Sequence, residues 1–251
     1  MREKEGWSNP KKIVERMIQN IDETKSGQIL YETLLNWLMD YFQDKGYIVN
    51  NRPLARSIWN TLTWICQEKL GVTLDQVVGN VQEACEELAA LLEQETGLEN
   101  LMEDVTKIIN YGNITFAEGL DKVCFIVDRD RKSFTVSQYE YVLEQCEKRG
   151  FGLYLTNPCF EFWLLMHFDD VVNLDERQLL ENPLVTSGRR YSEKELRKRI
   201  PGYKKSRYDA RALVRNVDIA IGNEKQFCED IKQLENTVGS NVGLLICEMR
   251  N

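Results

Sequence analysis

The stretch Val123-Cys124-Phe125-Ile126-Val127-Asp128-Arg129-Asp130 decides how this chain is read. Five consecutive apolar residues, rich in β-branched types, are too few for a buried helix. They suit a central parallel strand buried on both faces. Downstream, Val136, Tyr139, Val142, Leu143 and Cys146 recur at helical spacing, and Gly150 closes that helix. Phe151-Gly152-Leu153-Tyr154-Leu155 reads as the next strand. Asn157-Pro158 breaks it and opens a helix over 160–168 that is apolar nearly all round. Strand, helix, strand and helix in this order make a βαβ unit of a parallel sheet.

Working outward, residues 192–200 and 209–235 are expected to be helical, and 242–249 to be a closing helix or strand. Upstream, apolar residues at helical spacing mark helices over 11–21 and 29–42, and 46–50 reads as a short strand. From 55 to 110 the pattern is almost wholly helical, punctuated by Gly71, Gly79 and Gly97. The expected architecture is therefore one α/β domain over 1–251, interrupted by an α-helical insertion at about 52–118.

Composition excludes several function classes. The 251 residues carry a formal charge of −8, and 43% are apolar, enough for a full core. No apolar run is long enough for a transmembrane helix, and Met1-Arg2-Glu3-Lys4-Glu5-Gly6 lacks a signal core, so a cytoplasmic protein with no membrane partner is expected. The seven cysteines form no C-x-x-C pair and read as reduced thiols. With one histidine, His167, multi-histidine metal sites are impossible and an acyl-transfer triad has a single place to form. Forty Asp and Glu side chains point instead to hard-cation chemistry on carboxylates.

Ligands of open α/β sheets bind beyond the carboxyl ends of the strands, where Asp128 and Asp130 follow the apolar run. Residues i and i+2 of extended chain share a direction, so both carboxylates can face one cation. The competing reading is a solvated turn in which Asp130 turns the chain. At the end of the next strand, Glu161 is a candidate third carboxylate. Alternatively, Asn157 is a helix N-cap and Glu161 a partner of the helix dipole. His167 reads as a core histidine more readily than as a base.

Charge is unevenly spread. Between Gly188 and Arg215, eleven basic residues oppose three acidic ones, a local net of +8 in an acidic chain. Arg189, Arg190, Arg197, Lys198, Arg199, Lys204, Lys205 and Arg207 are candidates for binding a nucleic-acid backbone, with Tyr203 and Tyr208 available for stacking. Lys204 or Lys205 could instead stabilise charge in the cleft. A solvated helix pair is the plainer alternative.

These motifs resemble the RloB family. Phe125-Ile126-Val127-Asp128-Arg129-Asp130 looks like its strand ending in F-D-R-D. Thr156-Asn157-Pro158-Cys159-Phe160-Glu161-Phe162-Trp163-Leu164-Leu165-Met166-His167-Phe168 is similar to its S-N-P-C-F-E-x-W-L-L-x-H-F block. Pro201-Gly202-Tyr203-Lys204-Lys205 resembles its P-G-Y-x-K, and Asn236-Thr237-Val238-Gly239-Ser240-Asn241-Val242 its C-terminal N-P-x-[ST]-N-V element. The resemblance, over about 120–251, implies kinship with AbiL-type abortive-infection proteins. It also implies a Toprim-like (Rossmannoid) parallel sheet flanked by helices, with Mg²⁺ or Mn²⁺ held by one glutamate and an Asp-x-Asp pair.

Carried over, Asp128 and Asp130 are the metal pair. Glu23, in Glu23-Thr24-Lys25-Ser26-Gly27-Gln28-Ile29-Leu30-Tyr31, matches the first glutamate of the family's E-G-x-x-T-E-x-x-Y, with Glu118 as a rival. The implied activity is a metal-dependent nuclease of an anti-phage system working beside a partner ATPase, the candidate catalytic groups being Glu23, Asp128, Asp130, Glu161 and Lys204, with Asn157 and His167 supporting. A homo-oligomer is compatible with it. The alternative is a non-catalytic subunit that docks on the ATPase.

Overall fold

The computed structural model describes residues 9–48, 51–114, 116–117, 119–131, 133–205 and 207–250. They divide into two compact units, Glu15–Asp121 and Lys122–Asn251, the latter joined by the residues up to Val14. The candidate Glu118 and the end of the expected 46–50 strand, Val49 and Asn50, lie outside the described residues.

The first unit is helical. Its elements are α1 (Pro10–Ser26), α2 (Tyr31–Asp44), α3 (Arg52–Trp64), α4 (Val81–Thr96) and α5 (Leu101–Gly112), with a π-helical turn Ile65–Leu70 continuing α3. One face of α2 buries Leu34, Leu35, Trp37, Leu38 and Phe42, and α4 contributes Cys85, Leu88 and Leu92 to the apolar interior. Asn80 starts α4 by accepting the Gln82 and Glu83 N–H groups at 3.0 and 3.3 Å. Gly112 lets α5 end against Trp37, because a Cβ there would lie 2.0 Å from Trp37 Cγ. Residues 46–48 form a turn and bend, not the expected strand. Gly46, at φ 82°, stops the chain after α2, and Tyr47 folds edge-on against Phe42 at 6.2 Å.

The second unit is mixed α/β. It runs β1 (Cys124–Asp128), α6 (Val136–Arg149), β2 (Gly152–Asn157), α7 (Phe160–Leu165), α8 (Glu176–Glu181), β3 (Leu184–Thr186), β4 (Arg189–Arg190), α9 (Tyr191–Arg199), α10 (Ala210–Val214), α11 (Val217–Glu224), β5 (Gly239–Ser240) and α12 (Val242–Met249). Among the described residues, β1, β2 and β5 form a small sheet in that order, and β3 and β4 form a separate ribbon. The βαβ unit is present: β1 pairs parallel with β2, from Cys124 opposite Gly152 to Asp128 opposite Thr156. β5 is antiparallel to β2, so the sheet is mixed rather than wholly parallel.

β2, not β1, is the central strand. β1 is an edge strand with Phe125 buried and Ile126 53% exposed, so its apolar run covers only one face. On the other side of β2 a side chain extends the ladder. Asn241 Oδ1 accepts the Leu155 N–H at 2.6 Å and its Nδ2 donates to the Leu153 carbonyl at 3.1 Å, so the amide imitates a peptide unit.

Two expected helices are shorter than their apolar patterns. The helix from Phe160 stops at Leu165, where Asn223 Nδ2 donates to the freed carbonyls of Met166 and Phe168 at 2.9 and 3.1 Å. The 209–235 stretch holds only α10 and α11. Asp230 then accepts the Lys232 N–H at 2.9 Å and starts a series of turns. Residues 242–249 are helical, as α12. No helix of the described residues is long and apolar enough to cross a membrane.

Candidate functional site

The site begins at the carboxyl end of β1, where period-two alternation sorts the D-R-D residues. Arg129 turns inward and is 2% exposed. Its backbone N–H reaches the Thr156 carbonyl at 2.9 Å. Its guanidinium donates to the Phe134 carbonyl, lies 5.6 and 5.1 Å from the Phe134 and Tyr139 ring centroids, and has Glu235 3.8 Å away. Arg129 thus anchors the loop after β1, a role its place between two aspartates concealed.

Asp128 keeps a face open to solvent, and its Oδ1 accepts the Phe160 N–H at 2.7 Å. That bond joins the end of β1 to the first turn of α7. Asp130 makes the turn: its carbonyl accepts the Phe134 N–H at 2.8 Å and its Oδ2 the Ser133 hydroxyl at 3.0 Å. The turn-forming reading of Asp130 therefore describes this loop.

Glu161 is 5% exposed in the first turn of α7, and its Oε1 lies 2.7 Å from Lys205 Nζ. The Tyr203 hydroxyl is 3.5 Å from the same oxygen. Tyr203 and Lys205 stand two apart in the Pro201-Gly202-Tyr203-Lys204-Lys205 stretch and reach one carboxylate, while Lys204 between them is exposed. The lysine on the carboxylate is therefore Lys205, not Lys204. Tyr203 is 3% exposed and packed against Tyr208 with ring centroids 5.4 Å apart, which takes its ring out of reach of a base.

Electrostatics follow from these positions. The Asp128 carboxyl is pushed up to about 6, first by the protein packed round it and then by the Glu161 charge, with Asp130 adding to the effect; the Phe160 N–H and Lys205 act the other way. Burial by itself would raise the Glu161 carboxyl, but the Lys205 ammonium reverses this and leaves it below its ordinary value. The Cys159 thiol is pushed well up by burial and by the Glu161 and Asp128 charges, so it is no thiolate nucleophile.

The remaining candidates each have partners of their own. Glu23 sits on α1 in the helical unit, 8% exposed, where its carboxylate accepts the Leu30 N–H at 2.9 Å and the Gln19 amide at 2.7 Å. Asn157 does not cap α7. The N-cap position is Cys159, and Asn157 Nδ2 donates to the Leu234 carbonyl at 2.7 Å across a cis Asn157–Pro158 peptide. His167 is 5% exposed with Nδ1 3.1 Å from the Trp163 carbonyl, and burial holds its pKa down.

Much of the basic segment is already paired. Arg197 meets Glu193, Lys198 meets Glu195, Arg199 meets Asp170 and Glu195, and Arg190 donates to the Asn182 carbonyl. Arg189, Lys194, Lys204, Arg207, Arg211 and Arg215 are exposed and make no ion pair among the described residues. Lys204 and Arg207 exchange backbone N–H···O bonds of 3.2 and 2.8 Å and so face each other across a tight turn.

Among the described residues, no group of three or more His, Cys, Asp and Glu is arranged to hold a metal. Mg²⁺, however, is usually held by one or two carboxylates, the rest of its shell being water and substrate phosphate. Asp128, pushed up first by burial and then by the Glu161 and Asp130 charges, and Glu161, neutralised by Lys205, offer the one or two carboxylate oxygens that such a cation takes.

Neither the curated proteins nor the solved structures contain a match to this chain. A family model described as RloB-like protein matches residues 39–249, most of the chain, which therefore belongs to the RloB-like family.

Proposed function

We propose that this protein is a divalent-cation-dependent nuclease with a Toprim-like catalytic region, serving antiviral defence beside a partner ATPase. The observation that carries the reading is the meeting of three separate sequence blocks at one point. Asp128 of F-I-V-D-R-D, Glu161 of N-P-C-F-E and Lys205 of P-G-Y-K-K gather at the carboxyl ends of β1 and β2.

Asp128 and Glu161, with Asp130 close by in sequence, would hold the cation. Mg²⁺ or Mn²⁺ would there polarise a phosphodiester and lower the pKa of an attacking water. The chain's own residues supply the rest. The Phe160 N–H fixes the Asp128 carboxylate, Arg129 fixes the loop that follows, and Lys204 and Arg207 offer exposed positive charge to a nucleic-acid backbone.

The test incubates the purified full chain with tRNA, single-stranded RNA and plasmid DNA, in Mg²⁺, Mn²⁺ or EDTA, beside Asp128→Ala. Cleavage that needs the metal and is lost in the variant supports the reading. Metal-independent cleavage, or cleavage indifferent to Asp128, overturns it. The Lys205–Glu161 ion pair favours one second reading, a non-catalytic subunit whose carboxylates are already partly neutralised and which docks on the ATPase. Cation-independent binding to that ATPase, with no cleavage by the complex, is its expected result.

A further inference from the structure

We infer that Lys205 is the resident counter-ion of the carboxylate site and competes with the divalent cation for Glu161. This rests on the metal-dependent reading above and adds to it a residue that sets how tightly, and when, the cation is held.

The geometry has three parts. Glu161 is a buried carboxylate, with a side chain 6% exposed, and Lys205 Nζ lies 2.7 Å from its Oε1. The Lys205 ammonium and the Tyr203 hydroxyl together take the two lone-pair directions of Oε1, and an ammonium already neutralising a carboxylate lowers that carboxylate's attraction for a metal, so the lysine and the cation compete for it. The lysine side chain is 70% exposed, so its ammonium has open water to move into when a cation takes over the Glu161 charge. The Tyr203 hydroxyl, 3.5 Å from the same oxygen, stays with Glu161 and keeps the carboxylate from being left bare during the exchange.

Lys205 also shares its turn with Lys204 and Arg207, which are exposed and joined by two backbone hydrogen bonds. A phosphate backbone held by those two cations attracts a displaced Lys205 ammonium as a third. Phosphate binding and cation binding then favour each other, and linkage makes the coupling reciprocal.

The experiment titrates Mn²⁺ into the full chain, following free Mn²⁺ by electron paramagnetic resonance, for the wild type, Lys205→Met, Lys205→Arg and Asp128→Asn. Thermal melts of each variant monitor folding. Lys205→Met is expected to bind Mn²⁺ about three- to tenfold more tightly, as removal of an exposed competing charge predicts. Lys205→Arg keeps the competing charge and is expected to stay near the wild type, and Asp128→Asn to lose the site. A merely structural ion pair would lower the melting temperature of Lys205→Met without tightening Mn²⁺. That result, with Mn²⁺ bound by the wild type, overturns the inference and leaves the metal reading standing. No Mn²⁺ binding by the wild type or either Lys205 variant overturns both.

Discussion

The Phe160 N–H donates to Asp128 Oδ1 at 2.7 Å, so the last residue of β1 is fastened to the first turn of α7. One residue further on, Glu161 puts a second carboxylate beside it, bonded to Lys205. An asparagine at 128 can still accept the Phe160 N–H but carries no charge. Asp128→Asn is therefore expected to cut metal-dependent cleavage by at least about 100-fold, since several kcal/mol of metal-derived stabilisation are lost. Its melting temperature at pH 8 should equal or exceed that of the wild type. Steady-state cleavage and a thermal melt check both halves.

Acidification should weaken the site. Because the Asp128 carboxyl is pushed up to about 6, it begins to take up a proton at a pH where an ordinary aspartate stays ionised. A protonated carboxyl does not ligate a hard cation. Mn²⁺ affinity is thus expected to be flat above pH 7 and to fall by roughly tenfold per unit below about 6. Affinity that stays level down to pH 5 would place the cation elsewhere.

Glu224 gives a separate pH signature, in stability. It is 1% exposed on α11, and its Oε2 accepts the Gly243 N–H at 3.0 Å at the start of α12. Burial first, and the Glu229 charge besides, push its carboxyl up to about 7, against an ordinary 4.5. Between these values the folded chain holds a proton that the unfolded chain has lost, so stability rises as pH falls from about 7 towards 4.5. Glu224→Gln is expected to flatten this slope, worth roughly 1–3 kcal/mol. Melting temperatures from pH 4.5 to 8 for both proteins read it directly.

Arg129→Met keeps most of the buried volume but removes the donor to the Phe134 carbonyl. A loss of about 1–3 kcal/mol is expected from that unpaired acceptor, together with weaker Mn²⁺ binding as the loop after β1 loosens. Denaturant unfolding and the Mn²⁺ titration measure the two effects separately.

The turn holding Lys204 and Arg207 is expected to contact the nucleic-acid backbone. Replacing both by glutamate should weaken binding across unrelated sequences. It should also lower the slope of log affinity against log salt by about 2, near 0.9 for each phosphate contact. A double variant with the wild-type slope would move the binding face away from this turn.

How legible all this was in the sequence depended on the range of the interaction. The βαβ order and the gathering of Asp128 and Glu161 follow from local apolar runs and a parallel register, and both are present in the fold. The edge position of β1 was hidden, because an apolar run reports burial but not which neighbours supply it. The helix after Phe160 stops where a side chain distant in sequence, Asn223, takes over its freed carbonyls, and beyond α11 the expected helix gives way to turns, one of them made by Asp230. Asn241 acts as an extra rung of the sheet, and no periodicity marks a side chain that replaces a backbone. The choice of Lys205 over Lys204 was readable from period two, since Tyr203 and Lys205 share a side, but only once Glu161 was known to be their common partner.

The most direct test is anomalous diffraction from crystals of the full chain grown with Mn²⁺. The expected result is a peak at ordinary metal–oxygen distance, about 2 Å, from the Asp128 carboxylate, with Lys205 withdrawn from Glu161. An Asp128 carboxylate without a peak beside it, and Lys205 still on Glu161 at saturating Mn²⁺, would contradict the account.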